Sequence, residues 1–290
     1  MTRRLRHVAF DASHASVPAL LFLGILCLTM FAVHPVLAVL SLAGALAFSF
    51  CARGARATLN GLVWQLPMLA LVCLANPFFS ASGSTLLLQL GPINIYLESL
   101  AYGAVMGTVM VSVVVWFADA AEVLTQDRLL GLGQGRAASV SLVISMAAQL
   151  MPQMLRRSRG VEASMSACSA AGNKMSLKDR LTRESGQLMS WALEDSLDRA
   201  DAMRARGWES GCKRTSYRPD IMRESDVLAL CAVVAGLLVC AFLAYAACSQ
   251  WRFYPTMPNL IVWWGYVPYA LLMLAPTAAA LYERLCWKGL

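Results

Sequence analysis

Apolar residues arrive in long runs separated by short polar breaks. The first run goes from about Val17 to Val33, and His34-Pro35 interrupts it. A second follows from Val36 to Cys51, a third from Leu59 to Phe79 and a fourth from Glu98 to Phe117. Val227 to Ser249 and Leu260 to Leu281 make two more near the end. Runs of this length predict helices that cross a bilayer. Pro67 and Asn76-Pro77 predict a kink and an end in the third. Gly103 and Gly107, four apart, allow a close helix approach. "TLLLQL", residues 85–90, reads as a short strand or an interfacial segment in a loop without Lys or Arg. "QWRFYPTMPNL", residues 250–260, reads as an aromatic turn at the membrane interface.

Between the two apolar blocks the pattern changes. Residues 138–155 are moderately apolar and hold Gln149, Pro152 and Gln153. They predict a partly inserted helix that bends near Pro152 and does not cross. Its extension, "QMLRRSRGVEASMSACSAAG", is small-faced and stops at Gly172-Asn173. A second helix starts at the Ser176 cap, with an acid three residues on, and breaks near Ser185-Gly186. It resumes to Arg206 and ends on Gly207 in the left-handed position. In "EDSLDRADAMRARGWES", residues 194–210, acids come first and arginines last, as a helix dipole favours. Asp195 and Arg199, four apart, are placed to pair. Arg199 and Arg206 share a face, and Ala202 and Ala205 keep the adjoining face small. Such a tip suits a groove on another protein.

Composition agrees with a membrane protein. Of 290 residues, 58% are hydrophobic and 14% charged, against about 25% charged in soluble domains. The formal charge is +7, and fourteen of the twenty-four Lys and Arg fall in residues 156–224. Basic residues concentrate on cytoplasmic loops, so this segment and both termini are expected in the cytoplasm. No basic stripe interleaved with aromatics suggests nucleic acid. The nine cysteines form no C-x-x-C pair, and the three histidines, His7, His14 and His34, make no metal pattern. "GLGQG", residues 131–135, lacks the Lys-Ser/Thr of a phosphate loop. No cleavable signal peptide is expected. Glu98 and Asp119 read as flanking a span, which leaves the spans almost free of charge and argues against an enzyme or a self-sufficient secondary transporter.

The expected fold is therefore all-α: a polytopic integral membrane protein with a helical cytoplasmic domain inserted before its C-terminal spans. The expected blocks are residues 1–137 with about four spans, 138–224 with the inserted and cytoplasmic helices, and 225–290 with about two spans.

"LEDSLDRADAMRARGW", residues 193–208, resembles the Ala-Arg-Gly signature of the transmembrane T component of energy-coupling factor (ECF) transporters, the EcfT/CbiQ family. The matching residues are Ser196, Arg199-Ala200, Ala202 and Ala205-Arg206-Gly207-Trp208. "FDASHASVPALLFLGILCLTMFAVHPVLAVL" is similar to the family's opening stretch and hairpin, "LGPINIYLESLAYGAVMG" to its outside loop, and "LVISMAAQLMPQM" to its Arg-Phe-Ile-Pro segment. An earlier Ala-Arg-Gly in the family would fall at Ala167-Cys168-Ser169, where no arginine stands. The nearest Arg-Gly is Arg159-Gly160, so either the helices are re-registered or one ATPase contact is lost.

The resemblance implies a coupling subunit with no cofactor and no catalysis of its own. It implies two ATP-binding-cassette ATPase subunits, a substrate-binding S component in the bilayer, and uptake of a vitamin or transition metal across a bacterial or archaeal plasma membrane. It assigns ATPase coupling to Ala205, Arg206, Gly207, Arg199 and Ala202, with Arg159 and Gly160 for the missing site. Leu150, Met151 and Met154 would pack against the partner. A secondary transporter is the alternative.

Overall fold

The computed structural model describes residues 10, 13–79, 85–90, 93–125, 128–129, 131, 138–168, 176–208, 210–211, 222–253, 258 and 263–288. Arg3, Arg4, Arg6, His7 and Asp11, most of the glycine-rich segment, the Gly172-Asn173 stop, Cys212 and most of the aromatic turn lie outside the described residues.

The protein is an all-α polytopic membrane protein. Its helices are α1 (Ser16–Phe31), α2 (Pro35–Ala52), α3 (Ala55–Phe79), α4 (Leu97–Val123), α5 (Ala138–Cys168), α6 (Leu177–Ala205), α7 (Glu224–Gln250) and α8 (Tyr266–Lys288). One antiparallel hairpin, β1 (Leu86–Leu90) with β2 (Ile93–Tyr96), precedes α4, so "TLLLQL" is mostly strand. Its register pairs Leu90 with Ile93 and Leu86 with Tyr96 across a bulge. The chain divides into two compact units. One comprises residues 1–129 and 220–290, the other residues 130–219.

Among the described residues, four helices, α2, α3, α4 and α7, are long and apolar enough to cross a membrane. Six crossings were expected. The first apolar run yields an α1 of only 16 residues, about 24 Å against a hydrocarbon core of about 30 Å. The last run yields α8, which keeps Tyr266, Pro268, Pro276, Glu283 and Arg284 within a 23-residue helix.

In the membrane-embedded unit, α1, α2 and α4 supply the aromatic centre of the core, and α7 and α8 add Cys240, Tyr269 and Met273 to it. Phe22 meets Phe48 and Trp116 edge-on, with ring centroids 5.5 and 6.1 Å apart. A buried polar thread ties the same helices. Ser41 Oγ lies 2.8 Å from Thr29 Oγ1 and 2.9 Å from Ser112 Oγ, and Trp116 Nε1 donates to it at 3.1 Å. Such bonds within the bilayer are worth roughly 0.6 kcal/mol each. His34 begins α2. Its Nδ1 accepts from the Val36 amide at 3.3 Å, while Pro35 occupies a position whose N–H has no helical partner to lose.

Helix α3 continues through Pro67 and Pro77 rather than ending at Asn76. Pro77 has no N–H for the carbonyl of Cys73, four residues back. That carbonyl faces Gly103 of α4, where a Cβ would come within 2.9 Å. Gly107 faces the backbone of Leu69, so the two glycines do let α3 and α4 approach closely. Asn76 Nδ2 donates to the Ser99 carbonyl at 2.8 Å across the same contact. Glu98, buried at the start of α4, accepts from the amide of Thr85 at 3.1 Å and from its hydroxyl. It thereby anchors the hairpin to the helix.

Asp119 lies in the last turns of α4, fully buried, with Arg53 Nη1, just past the end of α2, at 3.7 Å. The apolar run fades at Phe117, but the helix goes on to Val123 and packs against the end of α2. A buried carboxylate needs such a cation beside it.

Candidate functional site

The residues singled out for coupling all belong to the second unit, on α5 and α6. Three side-chain links join these helices. Arg199 Nη2 donates to Gln153 Oε1, Arg157 lies 4.6 Å over the Trp191 ring, and Arg180 pairs with Glu162. The order of partners is reversed along the chain, so the helices run antiparallel. From Gln153 to Glu162 the links advance nine residues on α5, but from Arg180 to Arg199 they advance nineteen on α6. At 1.5 Å per residue these are about 13 and about 28 Å. Long side chains bridge the two helices.

Helix α6 runs unbroken from Leu177 to Ala205, through Ser185-Gly186. Ser176 stands at its N-cap, yet its side chain makes no capping hydrogen bond. The unbroken length also changes the charge argument. Glu194, Asp195, Asp198 and Asp201 lie in the C-terminal half of the helix, far from its positive end. Asp179 alone is acidic in the first turn, and Arg204 is basic in the last.

The C-terminus closes as the sequence predicts. Gly207 has φ +80°. Its amide donates to the Arg204 carbonyl at 2.9 Å, and the Trp208 amide donates to Met203 at 3.0 Å. These two bonds form a Schellman motif, which satisfies carbonyls that the last turn would leave open. The Ser210 hydroxyl then donates to the Gly207 carbonyl at 2.8 Å. The result is a sharply finished tip with Arg206 exposed on it. Ala202 and Ala205 are exposed beside it.

Arg199 is engaged differently. Its Nε pairs with Asp195 at 2.5 Å, the expected four-residue pair, and its other arm reaches Gln153 on α5. It ties α6 to α5, half-buried, while Arg206 faces solvent. Sequence spacing put both cations on one face. The polar partner on α5, 46 residues away, carried no local signal. The Arg157–Trp191 and Arg180–Glu162 links were missed for the same reason.

Leu150, Met151 and Met154 bracket Gln153, so they lie where Arg199 is tied to α5, near the end of α6. Leu150 and Met154 are half-buried, and Met151 is 69% exposed. Met151 belongs to an apolar stripe of α5 with Val140, Val143, Ile144 and Leu155, all exposed. Arg159 and Gly160 are exposed six and seven residues beyond Gln153, away from the α6 tip. The fold does not bring Arg159 to Arg206. Cys168 is the last residue of α5 and Ala167 precedes it, so the place of the absent early signature is the end of that helix.

Among the described residues no group of three or more His, Cys, Asp or Glu is placed to hold a metal ion. No family model matches the chain, and no curated protein matches its sequence.

Proposed function

We propose that this chain is the transmembrane coupling subunit of an ATP-driven importer of the energy-coupling factor type. It joins two ATP-binding-cassette ATPases to a substrate-binding membrane subunit that captures a vitamin or a transition metal. The observation that carries this reading is the α6 tip: an exposed Arg206 followed by a left-handed Gly207 at the end of a 29-residue helix.

The chemistry asked of the tip is recognition. Arg206 presents a planar fork of donors to carbonyls or acids in an ATPase groove. Ala202 and Ala205 keep the approach shallow. Closure of the ATPase pair on nucleotide displaces the tip. The link from Arg199 to Gln153 passes that displacement to α5, because the two helices are tied close to the tip rather than only at their far ends. The stripe containing Met151 then meets the substrate-binding subunit, where methionine adapts to a moving surface. ATP hydrolysis belongs to the companions. The reading places the α5–α6 pair and both termini in the cytoplasm, which the concentration of Lys and Arg in residues 156–224 supports.

Arg206→Glu tests it. The expected result is insertion at the normal level, with either loss of co-purifying ATP-binding subunits by at least ten-fold or hydrolysis without uptake. Unchanged uptake by this variant overturns the docking role. The buried Asp119 near the end of α4 favours a second reading, a self-sufficient secondary transporter, since buried carboxylates in membrane helices mark ion pathways in such proteins. Purification from native membranes separates the two: the coupling reading requires ATP-binding companions, and the transporter reading requires none.

A further inference from the structure

Among the described residues three carboxylates are buried: Glu98, Asp119 and Asp226. Two of them are supplied with donors. Glu98 accepts from the Thr85 amide at 3.1 Å and from the Thr85 hydroxyl. Asp226 accepts from the amides of Arg223 at 3.1 Å and His14 at 3.3 Å. Asp119 is the most enclosed of the three, with none of its side chain exposed. Yet neither of its oxygens has a hydrogen-bond donor among the described residues. Arg53 Nη1, at 3.7 Å, is too far for a hydrogen bond. Its side chain is 26% exposed, so water shares its charge.

The hydroxyl beside Asp119 belongs to Ser49. A hydroxyl has one hydrogen to give. Thr58 gives its own to the Gly54 carbonyl at 3.1 Å. The 3.0 Å contact between Ser49 Oγ and Thr58 Oγ1 therefore takes the Ser49 hydrogen. Ser49 is left with lone pairs for Asp119. An ionised Asp119 sets lone pairs against lone pairs in a place closed to water, and only Arg53 offsets that. A protonated Asp119 donates to Ser49 Oγ and completes a chain of donors from Asp119 through Ser49 and Thr58 to Gly54.

A metal cation does not suit the same place. The Arg53 guanidinium already brings a positive charge to it, and one carboxyl with two hydroxyls offers too few oxygens. Among the described residues, the other charged group that acts on Asp119 is Glu122, three residues on in α4 and exposed. Helix α3 contributes the uncharged Thr58.

We propose that Asp119 is a proton-binding site: it holds a proton in a hydrogen bond to Ser49 and releases it reversibly to water at Arg53. Release leaves the carboxylate to Arg53 and ties the end of α2 to the end of α4. Uptake frees Arg53. The assignment depends on neither reading of the chain's function, since it concerns the occupancy of one carboxyl and not what is transported.

The test is infrared difference spectroscopy of the full chain in lipid bilayers, titrated between about pH 5 and about pH 9. The wild type is expected to show the carbonyl stretch of a buried carboxylic acid, growing as pH falls and reversing as it rises. Isotopic labelling of the aspartate carboxyls shifts the band. Asp119→Asn removes it, whereas Glu98→Gln keeps it. Arg53→Gln moves its midpoint to higher pH by about one unit or more, because the ionised form loses its cation. Ser49→Ala raises the stretching frequency, because the acid loses its acceptor. Elution volume establishes that the variants fold. If Asp119→Asn does not, the labelled band and its responses to Arg53→Gln and Ser49→Ala still decide. Four results overturn the assignment: no aspartate band anywhere in the range, a band unchanged at its alkaline end, a band retained in Asp119→Asn, or a band that answers to added sodium at fixed pH and not to protons.

Discussion

His34 shows how much one side chain can settle in this fold. It is buried, its Nδ1 accepts the Val36 amide, and its Nε2 lies 3.3 Å from the Tyr266 hydroxyl. Trp251 and Tyr266 enclose the ring. Burial holds its pKa below the ordinary histidine value of 6.5. The unfolded chain therefore binds the proton first as pH falls, and stability rises with pH across that window. Acidification from about pH 7.5 to about pH 5 should lower the melting temperature in detergent, and His34→Gln should flatten the dependence. An equally steep profile in the variant would remove His34 as the cause. His34-Pro35 was legible as a helix break because the constraint is local. Its enclosure was not, since Tyr266 stands 232 residues away. Gly207 was legible for the same local reason, as a glycine directly after a basic last turn. Asp119 was legible as lying past the apolar run, but its burial was not, because α4 continues to Val123 and sets it beside Arg53 at the end of α2.

Among the elements, α3 and α4 depend most visibly on small residues. A Cβ on Gly103 would meet Asn76 Cβ and the Cys73 carbonyl at 2.9 Å, and the latter is backbone that cannot rotate away. Gly103→Ala must push α3 outward and weaken the Asn76–Ser99 bond, at a cost of about 1–3 kcal/mol. Gly61 on α3 has open space where its Cβ would go, so Gly61→Ala should be neutral or stabilise by up to about 1 kcal/mol. Thermal unfolding of the two variants in one detergent compares them directly, and equal midpoints would deny the close contact. The four-residue glycine spacing announced this interface but not its partner. The partner became clear only through Pro77, whose missing amide leaves the Cys73 carbonyl turned to Gly103. The extent of α6 was misjudged at Ser185-Gly186 because intrinsic propensity is a weak guide inside a 29-residue helix.

For the whole molecule, the two units differ in what they bury. The membrane-embedded unit encloses Phe22, Phe48 and Trp116, each almost wholly inaccessible. Helix α6 has no buried residue over its length, and Leu181, Met189, Leu193 and Leu197 are all more than half exposed. Two long helices that touch through a few side chains gain little from packing, and isolated helices are marginal in water. A coupling element is expected to have this character if its companions supply the missing cover. In the purified chain, amides of residues 138–168 and 177–205 should exchange at least a hundred-fold faster than those of α1, α2 and α4, on the order of 3 kcal/mol less protection. Adding back the ATP-binding and substrate-binding companions should slow exchange first near the α6 tip and along the Val143 to Leu155 stripe. Protection equal to that of the membrane helices in the purified chain would mean that the α5–α6 pair is stable by itself. The exposed leucines would then need an explanation other than docking.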